Sequence, residues 1–270
     1  MINSIGYASA LSTSQSRLAT ALQALASGNS INSAADNPAG MAQSTSYSVQ
    51  LSGAAQSMNN IQDGISMLGT ASGGIDQINQ GLQDIRTLTV QAGNGALNAS
   101  DLQSIQSQIG QIAQGIDQIA GNTQFNGQNL LDGSASLTVQ TGANAGASQN
   151  LQLGNFSSAA LGISGVDVTS SAGQSSALAA LDNAIQQVNG QSANIGAAQS
   201  GLSSALSAQS TGYENLAAAK SRVSDTDYAQ AASNLAQANI QQQTSLRALA
   251  LYNSTQKNVL SLLPQQSSPG

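Results

Sequence analysis

Residues 51–82 read LSGAAQSMNNIQDGISMLGTASGGIDQINQGL, and their spacing decides the fold. Apolar positions step by alternating three and four residues: Leu51, Ala54, Met58, Ile61, Ile65 and Leu68, then Ile75 and Leu82, with Ser72 and Asn79 as polar interruptions. This is a coiled-coil seam, the stripe that a helix must bury against partner helices. No proline lies between Ala39 and Leu263, so one helix can run from about Ala42 to Ala92, on the order of 75 Å at 1.5 Å per residue. Asn37 is placed to cap that helix with Pro38 as its first residue.

Working outward, Gly93, Asn94 and Gly95 form a turn signal. Beyond it a second seam, Leu102, Ile105, Ile109, Ile112, Ile116 and Ile119, keeps the same spacing and folds back on the first. A third seam runs Leu178, Leu181, Ile185, Val188, Ile195, Leu202, Leu206, Tyr213, Leu216 and Val223, with Ser192, Gln199, Gln209 and Lys220 in the intervening seam positions. Three helices side by side bury all three stripes. Between the second and third seams the pattern turns to β: Asn126-Gly127 marks a hairpin, and Leu137–Thr141 and Asn150–Phe156 read as short strands around a small-residue loop. Ser164 to Ser176 reads as a low-complexity linker. The predicted fold is mainly α, an elongated antiparallel coiled-coil bundle shaped as a rod, with a small β-hairpin region.

The ends are leaner. Leu11, Leu18 and Leu25 recur every seven residues with Leu22 beside them, and Leu246 and Leu249 recur as Leu260 and Leu263 around polar Asn253 and Gln256. Such helices are marginal alone, so both ends are expected to order only on finding each other or a neighbouring subunit. The expected domains are 1–41 and 230–270 as two parts of an inner helical domain, and 42–229 as the bundle, with its hairpin region at about 122–172.

Composition narrows the function. The 270-residue chain has 6 basic and 12 acidic residues and no His, Cys or Trp. Nucleic-acid binding needs clustered Lys and Arg, which this chain lacks. Without His and Cys there is no Ser-His-Asp or Cys-His nucleophile, zinc site, thiol chemistry or haem attachment. No stretch approaches the roughly 18 apolar residues of a membrane-spanning helix, and the first twenty residues lack a charged start and apolar core, so neither membrane insertion nor a cleaved leader is expected.

Other motifs read as local structure. Ser254 and Lys257 have the S-x-x-K spacing of acyl-enzymes, a chance match in so Ser-rich a chain. Asp225 and Asp227 open like a calcium loop that nothing completes, and fit a helix-start or ion-pair role near Arg222 instead. Asn98, Asn155 and Asn253 head N-x-S/T triplets that matter only in a secretory compartment. No catalytic, cofactor-binding or metal-binding residue is assigned, and no cofactor.

The run Ile2–Gly40, the run Thr123-Gln124-Phe125-Asn126-Gly127, and the run from Glu214 through Ser221-Arg222-Val223-Ser224-Asp225-Thr226-Asp227 to Leu263 together resemble bacterial flagellin, in that family's order and spacing. The resemblance implies a non-enzymatic structural subunit, exported by the flagellar type III apparatus, that polymerises with itself into the extracellular motility filament. Its terminal helices then form the inner filament core, with Leu11, Leu18, Leu22, Leu25, Leu246, Leu249, Leu260 and Leu263 as polymerisation residues. It also implies a flagellar cap, hook-junction proteins and an export chaperone as partners; the alternative identity is a hook-filament junction protein. This is a short form, with only about Asp132 to Gln174 between the conserved halves, implying a thin, smooth filament. The family's usual charges are missing at Ser30, Asn37, Gln230 and around Gln191 and Gly201. Flagellins that the vertebrate Toll-like receptor reads have Arg, Leu and Glu where this chain has Asp84, Leu88 and Gln108, so recognition is expected to be weak.

Overall fold

A computed structural model describes residues 2–262 of the chain, and side chains for residue 6 and residues 8–259. The described residues form five helices and two strand pairs. In chain order these are α1 (Ile2–Ser27), α2 (Pro38–Ala92), α3 (Ala99–Asn122), β1 (Gln124–Phe125), β2 (Gln128–Asn129), β3 (Ser136–Gln140), β4 (Ser148–Gln152), α4 (Ser171–Ser224) and α5 (Tyr228–Leu262). The fold is mainly α, as the seams predict. It divides into two compact units, residues 50–214 and the two terminal stretches 1–49 with 215–270.

α2 is uninterrupted because nothing in it breaks the ladder, and it starts where expected, at Pro38. Asn37 caps it, its Oδ1 accepting the Gly40 amide at 2.9 Å while its carbonyl accepts Met41 N–H. The buried face differs from the predicted seam. Ala54, Ile61, Leu68, Ile75 and Leu82 are buried as expected, but Leu51, Met58 and Ile65 are only half-buried. The second fully buried track is Ser57, Gly64, Ala71, Ile78, Ile85 and Ala92. Its first half holds residues too small to register as a hydrophobic stripe, yet small residues let neighbouring elements come close.

Those neighbours are antiparallel to α2. On α4, Asn79 Nδ2 donates to Asn189 Oδ1 at 2.9 Å, and Arg86 Nε meets Asp182 Oδ1 at 3.0 Å, seven residues further along α2 and seven back along α4. Towards α3, a Cβ placed on Gly81 would lie 3.1 Å from Ile116 Cγ1, and one on Gly74 would lie 2.6 Å from Thr123 Oγ1 and 2.8 Å from Leu131 Cδ1. One contiguous core joins α2, α3, α4 and the β region. The α2–α3 connection is the predicted turn, and Asn98 and Asp101 form a reciprocal capping box at the start of α3.

The β region is built on two antiparallel pairs. Asn126 (φ 50) and Gly127 (φ 78) occupy the left-handed region between β1 and β2, the geometry of a two-residue hairpin turn. In β3, Leu137 and Val139 are buried while Ser136 and Thr138 face out. β4 stops at Gln152, short of the predicted Phe156, because the chain turns inward: Leu153 and Phe156 are buried, and Phe156 N–H donates to the Leu131 carbonyl at 2.8 Å. The segment read as a linker from Ser164 to Ser176 is core in part. Val166 and Val168 are buried, and the Gln106 amide clamps both, donating to Val166 O at 2.7 Å and accepting Val168 N–H at 2.8 Å. α4 then begins within that segment, at Ser171.

Two glycines of α2 test this packing. A Cβ on Gly69 would meet nothing within 4 Å, whereas one on Gly74 would collide with Thr123 and Leu131. Gly69→Ala is expected to stabilise by about 0.5–1 kcal/mol through helix propensity. Gly74→Ala is expected to destabilise, because overpacking of about 1–3 kcal/mol outweighs the same gain. Denaturant unfolding of both variants checks the opposite signs.

Candidate assembly surface

The terminal stretches pair through α1 and α5. The inward residues of α1 are Leu11, Ser14, Leu18, Ala21, Ala24 and Leu25, and those of α5 are Ala231, Leu235, Ala238, Gln242, Ser245, Ala248, Leu249 and Tyr252. Most of them repeat every seven residues in two tracks, one mainly of small residues, ending on α5 at Tyr252, and one of larger ones. Arg17 Nη1 reaches Gln241 Oε1 at 3.3 Å across the pair. Because alanines cannot fill the space between the helices, a groove of about 560 Å³ remains, lined by Arg17, Ala21, Ala24, Ala231, Ala238 and Gln241 among others.

The pair is fixed at one end by a backbone clasp. α1 ends at Gly28, whose φ of 72 suits a helix C-terminus and whose amide donates to Ala24 O at 3.0 Å. Ser30 N–H then donates to Ser224 O at 2.7 Å, and Thr226 N–H to Gly28 O at 2.9 Å, forming an antiparallel bridge between Asn29 and Asp225. Asp227 starts α5, its Oδ1 accepting the amides of Ala229 (2.9 Å) and Gln230 (3.1 Å). That is the helix-start role expected of it, and among the described residues no acidic cluster is suited to a metal ion.

The predicted assembly leucines divide. Leu11, Leu18, Leu25 and Leu249 are half-buried within the α1–α5 seam, whereas Leu22 and Leu246 stay 50% and 48% exposed. Leu260 lies on α5 with its side chain outside the described residues, and Leu263 lies outside them altogether. Sequence reasoning passed over Ile240, Leu251 and Val259, which are also exposed large apolar side chains of α5. The signal available was their position off the seven-residue track, which marks them as unable to serve the intrachain pair. Among the described residues, no helix is long and apolar enough to cross a membrane.

The remaining singled-out residues are spread elsewhere. Asp84 and Gln108 are exposed on α2 and α3, and Leu88 is half-buried against the core. Ser254 Oγ donates to Leu251 O at 2.8 Å, a helix-internal bond with no catalytic geometry. At three positions expected to have lost a charge, uncharged side chains make hydrogen bonds: Ser30 Oγ to Ser224 O at 3.1 Å, Gln230 Nε2 to Asn234 Oδ1 at 3.2 Å, and Gln191 Nε2 to Gln152 O at 3.3 Å.

Comparison with known proteins identifies what this arrangement resembles. The family signature described as bacterial flagellin N-terminal helical region matches residues 2–136, and that described as bacterial flagellin C-terminal helical region matches residues 178–263. A flagellin of Bacillus subtilis is 35% identical across 94% of this chain and 95% of its own length. The crystal structure of Bacillus cereus flagellin aligns with a TM-score of 0.50 at 30% identity, covering 56% of this chain and 88% of that one. A hook-associated protein structure from Vibrio parahaemolyticus aligns with a TM-score of 0.60 over 70% of this chain and 100% of that one. At 14% identity this likeness speaks to the fold alone.

The loop between α1 and α2 carries a titratable handle. The Asp36 carboxylate accepts the Ser33 amide at 2.8 Å, the Asn32 amide at 3.0 Å and Ser33 Oγ at 3.0 Å. These bonds, the Ser33 amide foremost, hold its pKa below the ordinary carboxylate range. Since the folded value is depressed, the loop's support is present above the ordinary carboxyl pKa of about 3.9 and is lost as pH falls through the lower folded value. An NMR titration is expected to place the Asp36 midpoint below that of an isolated 31–37 peptide, with the Asn32 and Ser33 amides losing protection in the same step. Asp36→Asn is expected to abolish that step.

Proposed function

The chain belongs to the bacterial flagellin family, and from that premise we propose how its terminal helices perform the work of a filament subunit. It is a structural protein rather than an enzyme, a short-form subunit of the flagellar filament used for motility. Its place is the extracellular flagellum, and its partner is further copies of itself. The junction-protein identity is disfavoured, because the matches that extend to sequence are to flagellins.

The observation that carries the assembly proposal is the set of large apolar side chains, spread around the outside of α1 and α5, that the pair leaves in water: Leu22, Ile240, Leu246, Leu251 and Val259. In this reading the seam leucines Leu11, Leu18, Leu25 and Leu249 hold the pair together, and Leu22 and Leu246 seat it against the neighbouring subunit. Leu260 and Leu263 extend the same function. The terminal helices form the inner core of the filament, and residues 50–214 form its outer wall, thin and smooth because only a short β region separates the two halves. Export through the type III apparatus, and handling by a chaperone, hook-junction proteins and a cap, belong to the same proposal.

Burying one exposed leucine at a contact contributes about 1–2 kcal/mol, roughly 5–30-fold in critical concentration. Leu22→Ala and Leu246→Ala are expected to raise the critical concentration of seeded growth by that factor while leaving the circular dichroism of the subunit unchanged. Leu249→Ala is expected to raise it while also lowering the helicity of the termini. Unchanged growth for Leu22→Ala and Leu246→Ala, measured by electron microscopy and sedimentation, would overturn the assignment.

Asp84, Leu88 and Gln108 support a second expectation. An acid where recognised flagellins carry a cation opposes both encounter and docking. A Toll-like receptor reporter assay is expected to give weak or no signal, and Asp84→Arg with Gln108→Glu is expected to raise it.

A further inference from the structure

Asn followed by Gly occurs three times, at Asn94-Gly95, Asn126-Gly127 and Asn189-Gly190, and the fold holds the three differently. We propose that Asn94 is a self-modification site: its side-chain amide is attacked by the backbone nitrogen of Gly95 and converted to aspartate and isoaspartate, while the other two pairs are protected. The inference is independent of filament assembly.

The step is balanced and needs only water and hydroxide. Hydroxide takes the proton from the Gly95 amide, and the freed nitrogen pair bonds to Asn94 Cγ. The bond from Cγ to the side-chain nitrogen breaks, and that nitrogen leaves as ammonia with a proton drawn from water. The product is a five-membered succinimide. Water then adds to either of its carbonyls, opening it to aspartate or to isoaspartate, in which the backbone runs through the side-chain carbon. Nothing is oxidised or reduced.

Geometry favours this at Asn94. Its Oδ1 accepts the Ala96 amide at 3.2 Å, an Asx turn that folds the side-chain amide back over the Asn94–Gly95 peptide. The same bond polarises the carbonyl towards the charge it gains when Cγ is attacked. Among the described residues the Gly95 amide has no hydrogen-bond acceptor to release before it reacts. Residues 93–96 are exposed, so hydroxide and water reach the turn. Gly95 also offers no Cβ to obstruct the attack.

The other two pairs are held by their backbone. Asn126 is locked at φ 50 between the paired residues Phe125 and Gln128, and among the described residues its Oδ1 accepts no hydrogen bond. Asn189 lies within α4, where the Gly190 nitrogen is held in the helical ladder and the Asn189 Oδ1 accepts from Asn79 at 2.9 Å. Reaction there would require breaking α4 and its contact with α2.

The product matters to the fold. A carboxylate at position 94 lies just past the C-terminus of α2, where the helix dipole disfavours negative charge. Isoaspartate also lengthens the short connection between α2 and α3. Aged chains are therefore expected to accumulate a form with one extra negative charge and a looser turn.

The test ages the full-length protein, folded and in denaturant, at mildly alkaline pH, and digests it at aspartates. The three Asn-Gly pairs then fall on separate peptides, beginning at Asp84, Asp117 and Asp182. The expected result is conversion of the Asp84 peptide alone in the folded sample, with both aspartate and isoaspartate products, and conversion of all three in denaturant. Gly95→Ala, whose Cβ would meet nothing within 4 Å, is expected to keep the fold and lose the reaction. Folded-state conversion of the Asn126 or Asn189 peptide as fast as that of Asn94, or none at Asn94 while the denatured chain reacts, would overturn the proposal.

Discussion

Residues 50–214 depend on one stripe of α2, Ala54, Ile61, Leu68, Ile75 and Leu82, against which other elements pack from both sides. A helix with a single partner needs one seam; this one carries a second buried track three residues on, from Ser57 through Ala71 to Ala92. The width of the buried face lets a core form in a chain that is only 3% aromatic. Lacking large rings to fill space, the molecule removes space instead, with glycines such as Gly74 admitting Thr123 and Leu131 to the helix surface. The cost is a polar atom left over: Ser57 Oγ is buried without a hydrogen-bond partner among the described residues.

The same economy governs α1 and α5, with a different outcome. Their seam uses alanine and serine on one track, so the helices approach closely but bury little apolar area per turn. The backbone clasp at Ser30, Ser224 and Thr226 compensates at one end, fixing where the pair begins without relying on side chains. Beyond the clasp the pair keeps large side chains outside its seam. A helix pair that is modestly stable alone and apolar outside suits a part that reaches full burial only among copies of itself.

How much of this was legible follows from which residue types carry the signal. Long helices, their limits near Pro38 and Gly93, and the Asn126-Gly127 hairpin were readable because proline, glycine and heptad leucines and isoleucines are strong local markers. The Ser57–Gly64–Ala71 track was not, since small residues look polar or neutral in a pattern search although these three are buried. Val166 and Val168 were hidden by serine and glycine neighbours, and their place in the core depends on distant partners such as the Gln106 amide. The same limit applied at the assembly surface. Heptad spacing found the leucines of the intrachain seam, but the large apolar residues outside it, such as Ile240 and Leu251, follow no intrachain period and show as exposure.

The distribution of charge constrains how copies attract one another. Of the twelve acidic residues, nine lie between residues 50 and 214, where the only basic residue is Arg86, already engaged with Asp182. Two such surfaces brought together therefore gain no new ion pair and repel. The terminal stretches hold the other five basic residues and three acidic ones, so like-charge cost there is small. In the assembly proposed above, attraction must come from apolar contact at α1 and α5, where little charge opposes it. The outer wall then contributes shape and hydrogen bonding rather than electrostatic attraction. Exposed ion pairs contribute only about 0–1 kcal/mol each, so having uncharged Ser30, Asn37 and Gln230 in the terminal stretches gives up little. Their local bonds to Ser224, Gly40 and Asn234 return part of it.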